Sequence, residues 1–175
     1  MKKALIFVLV CTLTVLSTNA TSQTRRRSSA ARRASAAKAA SEKSSAEIKA
    51  GGAQVAAQIK TLTHFVYLLG GIVKGIESVD QAVSKHEASS TTMEQNERNK
   101  AKVRESIRSV REGLDKLESD FRFNPALKSY YTYLAGVART GEAAENQAAA
   151  NRFDEAGRSM LKAIDQLADA LVALR

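Results

Sequence analysis

Residues 103–121 read VRESIRSVREGLDKLESDF, with apolar side chains at Val103, Ile107, Val110, Leu114, Leu117 and Phe121. The steps between them are 4, 3, 4, 3 and 4 residues. An α-helix turns once in about 3.6 residues, so this spacing draws one apolar stripe and predicts a helix packed along a seam. The opposite face carries Glu94–Arg98, Arg108–Glu112, Arg111–Asp115, Glu112–Lys116 and Glu118–Arg122, all at i,i+4. Such pairs contribute a few tenths of a kcal/mol each and predict a solvated face.

Upstream, Ser89 to Thr92 is a polar break, and Thr91 followed by Glu94 forms a capping-box pattern that starts the 103–121 helix near Met93. Before it, Ile48, Val55, Ile59, Leu62, Val66, Leu69, Val73, Ile76 and Val83 repeat mostly at alternating steps of 4 and 3. They predict a first helix over about residues 46–85, roughly 60 Å long. Asp80 falls on that seam and weakens it. Gly51-Gly52, Gly70-Gly71 and Gly75 each cost about 1 kcal/mol relative to Ala in a helix. Because the repeat continues through them, Gly71 and Gly75 are expected where another helix comes close. The apolar stretch 62–73 is only 12 residues long, too short to cross a bilayer, which takes about 20.

Downstream, Asn124-Pro125 reads as a cap followed by proline at the first helical position. A third helix is expected to present Leu127, Tyr130, Tyr131, Leu134 and Val137, to turn alanine-rich through Ala150 and to end at Asn151. A fourth, with Asp154 and Glu155 in its first turn, would bury Phe153, Ala156, Met160, Ile164, Leu167, Leu171 and Leu174. The predicted fold is all-α: an antiparallel up-down bundle of about four helices with a long first hairpin, its first helix projecting beyond the others. The expected organisation is a signal peptide at 1–20, a basic tail at 21–45 and the bundle at 46–175. Within the fourth helix, Phe153, Ala156, Met160 and Ala163 resemble the second helix of a tetratricopeptide repeat. The preceding Leu134-Ala135-Gly136 is out of that family's register and no second copy follows, so no peptide-binding role is implied.

The formal charge of the chain is +9, and its location decides what it means. Lys2 and Lys3 hold +2, residues 25–43 hold +6 and residues 44–175 only +1. The bundle is electrically near balance. Lys2-Lys3, the apolar run Ala4–Leu16 and the small residues Ser17-Thr18-Asn19-Ala20 form the pattern of a secretory signal peptide cleaved near Ala20. Export to a periplasmic or extracellular space follows, and no integral membrane span is expected in the mature chain. The lone Cys11 lies inside the apolar run, so the mature fold would not depend on oxidation. More positive charge follows the apolar run than precedes it, which leaves open a signal anchor with the body in the cytoplasm. Residues 21–45 lack large apolar side chains and read as a disordered tail or a fraying extension of the next helix. Arg25, Arg26, Arg27, Arg32, Arg33 and Lys38 are its candidate contacts to an anionic surface. With no interleaved aromatics, specific nucleic-acid recognition is not expected.

Candidate chemistry is sparse. His64 and His86 would stand about 33 Å apart on one helix, and no Glu-x-x-His, His-Glu-x-x-His, phosphate loop or serine elbow is present. Glu142/Glu145 and Asp165/Asp169 share helix faces and read as solvated carboxylates. No catalytic, cofactor-binding or metal-binding residue is assigned. The candidate interface residues are Phe65, Tyr67, Gly71, Gly75, Tyr130, Tyr131 and Tyr133, since tyrosine buries its ring while its hydroxyl stays wet. Phe65 and Tyr67 flank the first seam and widen it, which suits the bundle interior or a helix from another subunit. Two functions from different classes remain. One is a non-catalytic exported interaction or structural module, with itself or another protein as partner. The other is an electrostatic binder of anionic envelope polymers or nucleic acid through residues 25–43.

Overall fold

The computed structural model describes residues 20–175, with side chains from residue 32 onward. The predicted signal peptide therefore lies outside the described residues apart from Ala20. The elements are α1 (Ala20–Ser84), α2 (Ser90–Phe123), a 3-10 turn (Lys128–Tyr130), α3 (Tyr131–Leu134), α4 (Val137–Ala149) and α5 (Phe153–Ala173). Every regular element among the described residues is helical. The chain divides into two units at Ser44/Ser45.

In the first unit, residues 20–44 are helical rather than disordered. Ala, Arg, Ser and Lys run without a Gly or Pro from residue 20 to 50, so nothing opposes the good helix formers among them. Of the two readings of this segment, the backbone follows the helical extension. The side chains of Arg32, Arg33 and Lys38 are exposed, and Lys38 Nζ lies 3.9 Å from Glu42 Oε1.

The second unit is held by antiparallel helix pairs, legible one contact at a time. Lys100 reaches Asp80, and Gly113 lies against Gln58, so α2 runs back along the 45–84 part of α1. From Arg104 to Glu118, α2 meets α4 in reverse order: Arg104 at Asn151 just past its end, Arg108 and Arg111 at Glu145, Leu114 at Gly141, and Glu118 at Ala138. The side chains of Ser159 and Gln147, and of Gln166 and Thr140, join α5 to α4 in the same antiparallel sense. The shared core takes Val55, Leu62, Leu69, Val73 and Ile76 from α1 and all six stripe residues of 103–121 from α2. Phe153, Ala156, Met160, Ala163, Leu167 and Ala170 complete it from α5.

Four details differ from the sequence reading, each for a local reason. The cap of α2 is Ser89, whose Oγ accepts from the Thr92 N–H at 3.2 Å. It falls two residues before Thr91 because α1 ends in a left-handed residue, His86 at φ 60°, whose N–H bonds back to Val83 while Glu87 N–H bonds to Ala82. That double bond is the usual way to satisfy the last carbonyls of a helix, and Asn151 at φ 60° closes α4 by the same pattern, at the predicted residue. The expected third helix is broken. Pro125 lies in a turn braced by Asn124 Oδ1 on the Ala126 N–H, and Gly136 at φ +92° re-aims the chain before α4. Arg108 and Arg111 leave their expected i,i+4 partners for Glu145 at 3.0 and 2.8 Å, so part of the supposed solvated face is the α2–α4 seam. Finally, the close helix approaches are not at Gly71 and Gly75, where a Cβ would meet no neighbouring atom within 4 Å. They are at Gly51, where a Cβ would stand 2.8 Å from Leu127 Cδ2, and at Gly141, 3.3 Å from the Arg111 Cα.

Candidate docking groove

The same 3–4 spacing that builds the α1 core stripe recurs one residue before it. Thr61, Phe65, Leu68, Ile72, Gly75 and Val79 follow at steps of 4, 3, 4, 3 and 4. On a helix this makes a second stripe beside the first, turned by about 100°. The first stripe is inside the molecule; the second is not. Leu68 is 49% exposed and Ile72 46% exposed.

Phe65, Leu68, Ile72, Gly75 and Val79 form the apolar wall of a groove of about 770 Å³ between α1 and α2. The facing wall is polar and comes from Thr91, Gln95, Asn99, Lys102 and Ser106 of α2. Its floor is continuous with the core, since Leu69, Ile76 and Val103 belong to both. On α2 these lining residues alternate with Arg104, Arg108 and Arg111, which turn toward α4 and its end. The groove therefore opens on the side of the hairpin that α4 leaves uncovered.

One end of the groove is pinned by a polar layer. Asp80 Oδ1 accepts from Asn96 Nδ2 and from Lys100 Nζ, both at 2.7 Å, and Lys100 also reaches Glu97 at 2.9 Å. Asn96 is 4% exposed and Lys100 8%. Asp80, which read as a flaw in the seam, is the residue that satisfies both. A single polar layer in an apolar seam fixes register, because a slip would strand buried donors. Burial alone pulls the Lys100 ammonium down, but its hydrogen bonds and attraction to Asp80 and Glu97 outweigh that, and its pKa stands above the ordinary 10.5. A raised lysine stabilises the fold fully below its unfolded pKa and stops doing so as the pH climbs through the folded value. Lys100→Met should therefore cost a constant stability between pH 7 and about 9.5, and progressively less above about 10.5. Urea midpoints for both proteins up to pH 11.5 would check this; a gap that stays constant throughout contradicts it.

The candidate interface residues separate into three groups. Phe65 and Gly75 come together in the groove. Tyr67 is 80% exposed on a different face of α1, beside Ile59, Lys60, Thr63 and His64, and Gly71 is exposed outside the groove lining. Tyr130 and Tyr131 are half-buried against the core around α3, while Tyr133 is half-exposed. The Tyr131 hydroxyl donates to Glu118 at 3.4 Å. Leu68, Ile72 and Val79 were missed; the signal that finds them is the second stripe at 61–79.

The remaining candidates stay apart. His64 and His86 are both exposed, and His86 serves the α1 terminus. Glu145 is held by two arginines, and Glu142, Asp165 and Asp169 are exposed. Among the described residues, no three His, Cys, Asp or Glu side chains gather where they could hold a metal ion. No described helix is long and apolar enough to cross a membrane. The side chains of Arg25, Arg26 and Arg27 lie outside the described residues. No family model, no curated protein and no solved structure matches the chain.

Proposed function

We propose that this chain is a non-catalytic helical interaction module, exported after cleavage near Ala20, which docks an uncharged apolar helix face in the α1–α2 groove. The observation that carries this reading is the second stripe: a 3–4 repeat as regular as the core's, left half-exposed beside a polar wall. Helical grooves recognise amphipathic helices through anchors at i, i+3, i+4 and i+7, which is the spacing this wall presents. Among the described residues Lys102 is the one charged side chain lining the groove, so a strongly charged ligand finds little to pair with.

The test places a fluorophore at Ser106→Cys in the full chain carrying Cys11→Ser. An uncharged synthetic helix with leucines at 3–4 spacing should give a saturable signal. Leu68→Glu with Ile72→Glu should abolish it while leaving the thermal melt within a few degrees, because both side chains are already half-exposed. No signal, or one indifferent to the double substitution, overturns the reading. Export is tested by size: a mature protein that keeps its first 20 residues ends that part.

A second reading is favoured by the exposure of Arg32, Arg33 and Lys38 along a helix with only Glu42 among them. In it, residues 25–43 grip an anionic polymer or surface. Deleting 21–43 should then abolish salt-sensitive binding to anionic vesicles, and unchanged binding ends it.

A further inference from the structure

Resting on the groove reading above, we infer that the helix docked there is the same stripe of a second copy of this chain, laid antiparallel.

The first support is the spacing. The steps 4, 3, 4, 3, 4 from Thr61 to Val79 read the same in both directions. A reversed copy therefore meets the original layer for layer: Thr61 with Val79, Phe65 with Gly75, and Leu68 with Ile72. Each layer occurs twice about a two-fold axis passing between Leu68 and Ile72, as a closed two-fold interface requires.

The second support is size. The layers combine the largest side chain of the stripe with its absent one, and two of middle size with each other. The space over Gly75 is open, with nothing within 4 Å of where a Cβ would stand. That is where the reversed register delivers a phenyl ring. The same glycine that does not bring helices together within the chain thus acquires a reason to lack a side chain.

The third support is charge. Residues 61–73 hold no Lys, Arg, Asp or Glu. Lys60 lies on a different face of α1 and Asp80 is already held by Asn96 and Lys100, so the six stripe residues from Thr61 to Val79 bring no charged side chain of their own against a second copy. Groove against groove, the two hairpins form a four-helix centre, with the α4–α5 layer of each chain on the outside.

Sedimentation of the full chain with Cys11→Ser at micromolar concentration should show a dimer. Gly75→Leu should abolish the dimer while leaving the helix content of the chain unchanged, because the new side chain enters open space and replaces a poor helix former. Adding Phe65→Ala to Gly75→Leu exchanges large for small within the layer and should restore the dimer. An equimolar mixture of Leu68→Cys and Ile72→Cys chains should oxidise mainly to the mixed disulfide. A monomer at all concentrations overturns the second copy; if the Ser106 probe still reports the synthetic helix, the groove reading survives that failure. A dimer that ignores Gly75→Leu, or oxidises mainly to like-with-like disulfides, overturns the antiparallel register.

Discussion

Replacing Phe121 with alanine is expected to destabilise the bundle by about 3–5 kcal/mol, the range for emptying a fully buried aromatic site. For a domain of this size that is a fall of roughly 10–20 °C in melting temperature. Phe121 is 0% exposed and lies where three segments converge. Gly51 of α1 has its Cβ position 3.2 Å from Phe121 Cζ, and Leu127 in the following turn presses on the same spot at 2.8 Å. The ring is clamped between a helix backbone and a loop side chain, so collapse around the vacancy is limited. The same geometry predicts coupling. Gly51→Ala should be near neutral alone, since about 1 kcal/mol of helix propensity is opposed by the crowding at Leu127. In the Phe121→Ala background the crowding is relieved, and the alanine should recover about 1 kcal/mol. Equal effects in both backgrounds, measured by urea unfolding, would contradict the packing of α1 across Phe121.

Glu118→Ala is expected to cost about 2–3 kcal/mol. The carboxylate accepts from the Gly136 N–H at 3.1 Å through Oε1 and from the Ala138 N–H at 2.9 Å through Oε2. These are donors at the start of α4, whose capping residue, Gly136, has no side chain of its own to offer. A helix N-terminus left without acceptors is costly when it is half-buried, and a negative charge there also meets the positive end of the helix dipole. Glu118→Gln keeps one acceptor oxygen and loses the charge, so it should recover about half of the loss. Thermal melts of the three proteins decide the matter; equal stability of Glu118→Ala and the parent would remove the cap from the account.

How far the sequence could be read depended on how many residues shared each signal. The 103–121 stripe repeats the same information six times, so all of its members are buried where the spacing places them. The antiparallel pairing followed from the short polar links. Features resting on one residue were harder. Glu118 looked like a partner of Arg122, because a helix-local rule cannot know that an uncapped terminus folds back to it 18 residues later. Gly136 broke an apparently continuous third helix, and only the left-handed φ reveals why a glycine stands there. Asp80 read as an interruption until Asn96 and Lys100 faced it. Of the groove, Phe65 and Gly75 were visible as a flank and a small residue. The stripe joining them was hidden by its neighbour, because two 3–4 repeats offset by one residue look like a single broad apolar run.

The links of the second unit carry a last consequence, for how fast it forms. Residues 85–89 separate α1 from α2, and 150–152 separate α4 from α5. Each hairpin can start to close beside its short link and zip outward, in the first from Asp80–Lys100 to the more distant Gln58–Gly113 and Gly51–Phe121 contacts. Helical bundles fold in microseconds to milliseconds. The slower event should be the meeting of the two hairpins, which requires the chain around Pro125 and Gly136 to bend at both points together. Stopped-flow refolding should then show helix signal preceding the burial of Leu114 against Gly141, and a variant that stiffens Gly136 should delay the second without touching the first.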